Sequence, residues 1–177
     1  MKLLKYLLSI LFCNGYRFLR FIPNNDPIMG CMLPFARQDS WWKAPLFAFA
    51  TMVSFDFITM RVGPWTAITA LTYAGLAIMF HFTYKKIGTV KLRHYLGSGI
   101  VGVLIFDFVT GVVAGPAMFG IGFAQAAIGQ IPFTVMHLIT VSGFIIIITP
   151  ILDRVIISNP TLEDSMVVNK LKFLVGV

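Results

Sequence analysis

Apolar residues fall into six long blocks along the chain, at residues 3–18, 44–60, 65–84, 96–113, 117–131 and 133–152. None alternates in the way of a half-buried strand, and lipid offers no partner to an unpaired backbone group. The blocks therefore predict α-helices, of about the length that crosses a hydrocarbon core. Only Pro132 separates the last two blocks; together, at 117–152, they are long for one span and short for two, so five spans is the alternative. The fold class expected is an all-α integral membrane protein of about six transmembrane helices. Residues 1–157 would form one domain and 158–177 a polar or amphipathic tail.

Composition points the same way. With 58% of 177 residues hydrophobic, 12% charged and a mean hydropathy of +0.85, the chain lacks the polar surface of a soluble domain. Its start, Lys2 and Lys5 ahead of an apolar run, resembles a secretory signal. No small-x-small cleavage site follows, and Phe12 before Cys13 spoils a lipoprotein reading, so the run is taken as a first helix, with a cleaved or surface-lying segment as the alternative. Cys13 and Cys31 read as two small buried thiols, with a disulfide as the other possibility.

One motif occurs twice. Phe55-Asp56-Phe57-Ile58-Thr59 returns as Phe106-Asp107-Phe108-Val109-Thr110, and each copy is followed by Gly-Pro, at Gly63-Pro64 and Gly115-Pro116. The acids are 51 residues apart (107 − 56) and the Gly-Pro pairs 52 (115 − 63), which predicts a parallel repeat of helices two and three in helices four and five, with units near 44–84 and 96–131. On a helix Asp56 shares a face with Thr59, and Asp107 with Thr110. Ionisable groups in apolar spans suit a proton, cation or coupling site; the plainer reading, interhelical ties or caps, is favoured, because each acid precedes its Gly-Pro by about two turns and so lies near one membrane face.

The segment from Arg20 to Gly30 carries Pro23, Asn24, Asn25, Asp26 and Pro27 between apolar blocks, and continues to Trp41-Trp42. Two prolines argue against a regular helix, and Asn and Asp close tight turns, so a loop is expected, with Asn24, Asn25, Asp26, Trp41 and Trp42 as candidates to hold a small ring-bearing ligand. The tryptophans and Lys43 also suit an ordinary interfacial belt. Gln125, Gln130 and His137 are isolated polar groups in the most apolar third. Small residues at four-residue spacing, such as Ala70 and Ala74 or Gly120 and Ala124, suit close helix packing.

Walker-type phosphate loops, His-Glu-x-x-His and Cys-x-x-Cys are absent from the sequence. No enzyme activity, cofactor or metal is expected, and the net charge of +7 is scattered rather than aligned for nucleic acid. With six alternating helices, Lys2, Lys5, Arg61, Arg154, Lys170 and Lys172 fall on one side, and Arg17, Arg20, Arg37, Lys43, Lys85, Lys86, Lys91 and Arg93 on the other. Six against eight barely orients the chain.

The order of features resembles the S component, the substrate-binding membrane subunit, of energy-coupling factor (ECF) vitamin transporters, and a compact group of S-component-like proteins. What carries the resemblance is Arg20 and Pro23 with the Asn-Asn-Asp-Pro turn, Asp56 ending helix two, and Ile131-Pro132-Phe133, all within residues 20–153. It implies six helices, cytoplasmic termini, and an outward-opening pocket covered by the first loop and built from the outer ends of helices four to six. That selects Asn24, Asn25, Asp26, Trp41, Trp42, Arg93, His94, Gln130 and His137, and leaves Asp56 and Asp107 towards the cytoplasmic half. The family's small-residue docking stripe on helix one is absent here, where residues 3–12 offer only Ser9. The function expected is capture of a vitamin-like or nucleobase-like solute in the plasma membrane, energised by a transmembrane coupling subunit and ATPases. A stand-alone proton- or ion-coupled carrier using Asp56 and Asp107 is the first alternative, and a structural subunit of a membrane complex the second.

Overall fold

The computed structural model describes residues 3–19, 26–38 and 40–157, without the side chains of residues 155 and 156. Arg20, Pro23, Asn24, Asn25 and the tail from residue 158 lie outside that range. Among the described residues the ordered elements are all helical: α1 (Leu3–Leu19), α2 (Ile28–Gln38), α3 (Lys43–Ile58), α4 (Pro64–Ile87), α5 (Leu92–Asp107), α6 (Gly115–Phe119) and α7 (Phe123–Ile151). Seven residues in wide π-helical turns, Phe108–Ala114, join α5 to α6 in one rod, and Leu152–Ile157 extends α7 in the same way.

Three rods are long and apolar enough to cross a membrane: Pro64–Ile87, Leu92–Phe119 and Phe123–Arg154. The outward face of α1 agrees. Leu3, Leu7, Leu8, Leu11 and Phe12 point out, while Lys5, Ser9 and Asn14 point in, an arrangement that water would penalise and lipid rewards.

Two expectations are corrected. The blocks at 117–131 and 133–152 are not two spans: α7 runs through Pro132 without a break. Such a proline is tolerated where neighbouring helices and hydroxyl side chains satisfy the freed backbone groups. The sixth helix lies in the supposed first loop. Asp26 and Pro27 start it as a cap and a first-turn proline would, with the Ile28 amide donating to Asp26 Oδ1 at 2.9 Å. Pro34 sits inside it. At 11 residues, α2 spans about 16 Å, roughly half a bilayer core. Every residue from Ile28 to Ala36 is buried, against α3, α4, α5 and α7. The shortness of α2, with prolines at its start and inside it, disguised it as a loop.

The duplicated motif also follows two different paths. After Thr59 the chain turns, and Gly63-Pro64 opens the returning helix α4. After Thr110 it keeps going, and Gly115-Pro116 lies within the same rod as Asp107. A run of β-branched residues (Val109, Thr110, Val112, Val113) is poor α-helix material, and a proline ring crowds the carbonyl four residues back. The π turns answer both, with the Gly115 amide donating to the Thr110 carbonyl, five residues earlier. The two motif-bearing helices, α3 and α5, share only a pattern of neighbours. Each packs most closely on the helix that returns beside it, α4 and α7 respectively, rather than on the expected 117–131 block as a separate span.

With α2 as an additional helix running back along the bundle, the charges re-sort. Lys5, Arg37, Lys43, Lys85, Lys86, Lys91, Arg93 and Arg154 gather at one end of the bundle, where Lys5 Nζ donates to the Ile157 carbonyl and Arg37 Nη1 to Asp153 Oδ2 at 2.8 Å. The opposite end keeps Arg17 and Arg61 among the described residues.

Candidate functional site

Asp107 ends the 16 residues of α5 but sits near the middle of a rod 28 residues long, because the helix continues to Phe119. This corrects its expected place near one membrane face. It is 1% exposed. Gly99, Gly102, Val103 and Phe106 share its buried face, and the glycines admit their neighbours closely: a Cβ at Gly102 would come within 2.7 Å of Met29 on α2. Opposite, His137 lies near the middle of Phe123–Arg154, on the face of α7 that also buries Val141, Ile145 and Thr149. His137 Nδ1 and Asp107 Oδ1 are 2.8 Å apart, so the ring nitrogen donates to the carboxylate. Asp107 Oδ2 and His137 Nε2 are buried and have no partner. The pair thus combines a satisfied inner bond with two orphaned polar atoms at mid-span.

The rings around the pair are aromatic. Phe106 and Phe133 meet His137 edge-on at 5.9 and 6.0 Å, and Phe106 lies 4.4 Å from Tyr73 of α4. Tyr73, fully buried, donates through its hydroxyl to Asp26 Oδ2 at 2.6 Å and lies within electrostatic range of Asp107. Asp26 therefore does two jobs: one oxygen caps α2 and the other reaches α4 beside the site. Tyr73 was not among the sequence candidates. A tyrosine in mid-helix needs a hydroxyl partner, and that need was its available signal.

Gln130 and Thr134 continue the polar stripe of α7 away from the basic end. Gln130 lies directly over Gly111 in the π-helical turns, where an added Cβ would overlap its amide, and donates to Thr134 Oγ1 at 3.5 Å. Asp26, Gln130 and His137 are thus brought to one region, and Asp107 joins them from the group expected to pack or gate.

The other acid does something different. Asp56, two residues before the end of α3, accepts from Thr66 Oγ1 at 2.6 Å, while Thr66 also accepts from the Gly63 amide. It ties the α3–α4 turn. Thr59 and Thr110 bond back to the carbonyls of Phe55 and Phe106 and serve their own helices. Gln125 is exposed.

Trp41, Trp42, Arg93 and His94 are at the basic end, away from Asp107, which corrects their expected place in one pocket with Asp26. Trp42 lines an apolar groove of about 270 Å³ between α1 and α3, with Leu3, Leu7 and Leu46. His94 Nδ1 accepts from the Lys91 amide and caps α5. Beside them Arg37, Gln38 and Tyr95 converge on Asp153, joining α2, α5 and the end of α7. Cys13 and Cys31 are free and buried.

The orphaned atoms define what the arrangement can do: accept a donor at Asp107 Oδ2 and exchange a hydrogen bond at His137 Nε2, beside the rings of Phe106 and Phe133. Comparison with protein-family models, curated proteins and solved structures returned no match.

Proposed function

We propose that this protein is a multi-pass plasma-membrane subunit that binds a small ring-bearing solute at Asp107 and His137, with Asp26, Tyr73 and Gln130 around them. The observation that carries the reading is the mid-span pair with two buried, unpartnered polar atoms. Each such atom costs about 1–3 kcal/mol, a cost that a ligand's complementary groups remove. Intramembrane ionisable groups of this kind commonly mark solute or ion paths. The resemblance to ECF S components supplies the energy source: separate coupling and ATPase subunits. Native mass spectrometry of the gently purified chain should then reveal a retained small molecule, and a tagged chain should bring down an ATPase. Neither being found would sink the reading.

The collection of basic residues at one end supports an orientation with that end, and hence α1's start and α7's finish, in the cytoplasm. Asp26 then faces the outer half. With Cys13 and Cys31 replaced by Ser, a single Cys at Trp41 should resist a membrane-impermeant maleimide in whole cells, while one at Met60 should react. The reverse pattern would invert the assignment.

A second reading, a stand-alone proton-coupled carrier, is also favoured by the Asp107–His137 pair, though no longer by Asp56. Proton-driven uptake into vesicles holding this chain alone would select it; uptake that requires ATPase partners would exclude it.

A further inference from the structure

We infer that the Asp107–His137 site takes a cationic or donor-rich neutral nitrogen heterocycle and rejects anionic solutes; this rests on the solute-binding reading above.

Two carboxylates serve the site. Asp107 is part of it, and Asp26 holds the hydroxyl of Tyr73, whose ring packs on Phe106 beside the pair. If His137 is neutral, both negative charges stand uncompensated; if it is protonated, one still remains. With both carboxylates ionised, the site is net negative in either state.

Among the described residues, the cations of this half of the bundle are turned elsewhere. Arg17 is within electrostatic range of Tyr73, but its guanidinium lies 4.0 Å from the Phe55 ring centre and donates to Met52 Sδ, both on α3. Arg61 is exposed on the turn after α3. The remaining described lysines and arginines are at the basic end.

Hydrogen bonding gives the same polarity. Asp107 Oδ2, when ionised, only accepts. A ligand that satisfies it must bring an N–H or O–H, and a protonated ring nitrogen or amidine does so with charge assistance. Phe106 and Phe133 beside His137, with Tyr73 packed on Phe106, make the surroundings aromatic, which favours a positively charged group. A carboxylate entering here would lose its hydration beside a like charge in a low-dielectric interior, where repulsion is several times stronger than in water.

The test is calorimetric titration of the whole protein in lipid nanodiscs with benzamidinium, benzamide and benzoate. These rings match in size and carry a positive, zero and negative charge. Benzamidinium should bind about tenfold or more tighter than benzoate, with benzamide between them. Asp107→Asn, verified as folded by its thermal melt, should bring the three close together. Asp26→Asn, which leaves the buried pair intact, should narrow the gap even if Asp107→Asn fails to fold. Binding without this charge order, or an order that survives both variants, overturns the inference alone. An anionic solute in the native mass spectrum also overturns it. If none of the three probes binds and no solute is retained, the underlying site reading falls with it.

Discussion

Asp107→Ala is expected to destabilise the protein by about 3–5 kcal/mol, because removing one partner of a buried pair strands the other. His137 Nδ1 loses the acceptor at 2.8 Å, its Nε2 is already without one, and no water reaches a ring 3% exposed. Asp107→Asn should cost much less, since the amide keeps the shape and one acceptor. Both variants should lose retained solute. Asp56→Asn is the informative contrast: it weakens a single bond to Thr66 at the edge of the bundle, for about 1 kcal/mol, and should leave solute retention unchanged. Denaturation midpoints in detergent, with mass spectrometry for the solute, measure both effects. If Asp107→Ala melts with the wild type, or Asp56→Asn equals it in damage, the two acids have been given the wrong roles.

Gly30→Val should be about as severe, at about 2–4 kcal/mol, for a steric reason. A Cβ at Gly30 would lie 3.3 Å from Phe144 Cβ and 3.4 and 3.5 Å from the Phe144 backbone carbon and oxygen. Backbone cannot swing aside as a side-chain end can. Valine adds two methyls to that contact, so α2 must move off α7 and the bond from Thr149 Oγ1 to the Gly30 carbonyl, now 2.7 Å, is lost. Gly75→Val, where a Cβ would meet nothing within 4 Å, is the control and should fall within about 0.5 kcal/mol of wild type. Since α2 carries Asp26 at its start, Gly30→Val should also weaken solute retention. A variant as stable as the control would mean that α2 is not wedged as tightly as its burial indicates.

The resemblance between the two Phe-Asp-Phe motifs was plain in the sequence, but the different fates of their acids were not. Asp56 meets a chain that turns; Asp107 meets a helix that widens into π turns and goes on to Phe119. The choice depends on whether the following Gly-Pro opens a returning helix or is absorbed within a rod, and packing decides that. His137 was a candidate for its rarity in an apolar stretch. Its partner was not legible, because nothing in residues 108–136 tells how far along α7 the level of Asp107 falls. Trp41, Trp42, Arg93 and His94 were grouped with Asp26 because α2 was read as loop. One missed helix inverts the end of the bundle assigned to everything up to the next error, and merging the last two blocks supplied the second.

By itself the sequence determined that the chain is helical and built for lipid: long apolar blocks, few charges and no strand alternation leave no other way to satisfy the backbone in a bilayer. It also determined which polar residues are expensive enough to matter, Asp26, Asp107 and His137 among them. Tertiary structure alone decided the number and direction of the helices in the bundle, the joining of Asp107 to His137, and the gathering of the basic residues at one end. The physical reason is that hydropathy reports the solvent a residue prefers, whereas pairing and sidedness depend on which helix lies beside which, and a half-length helix with prolines at its start and inside it, such as α2, reads as a loop.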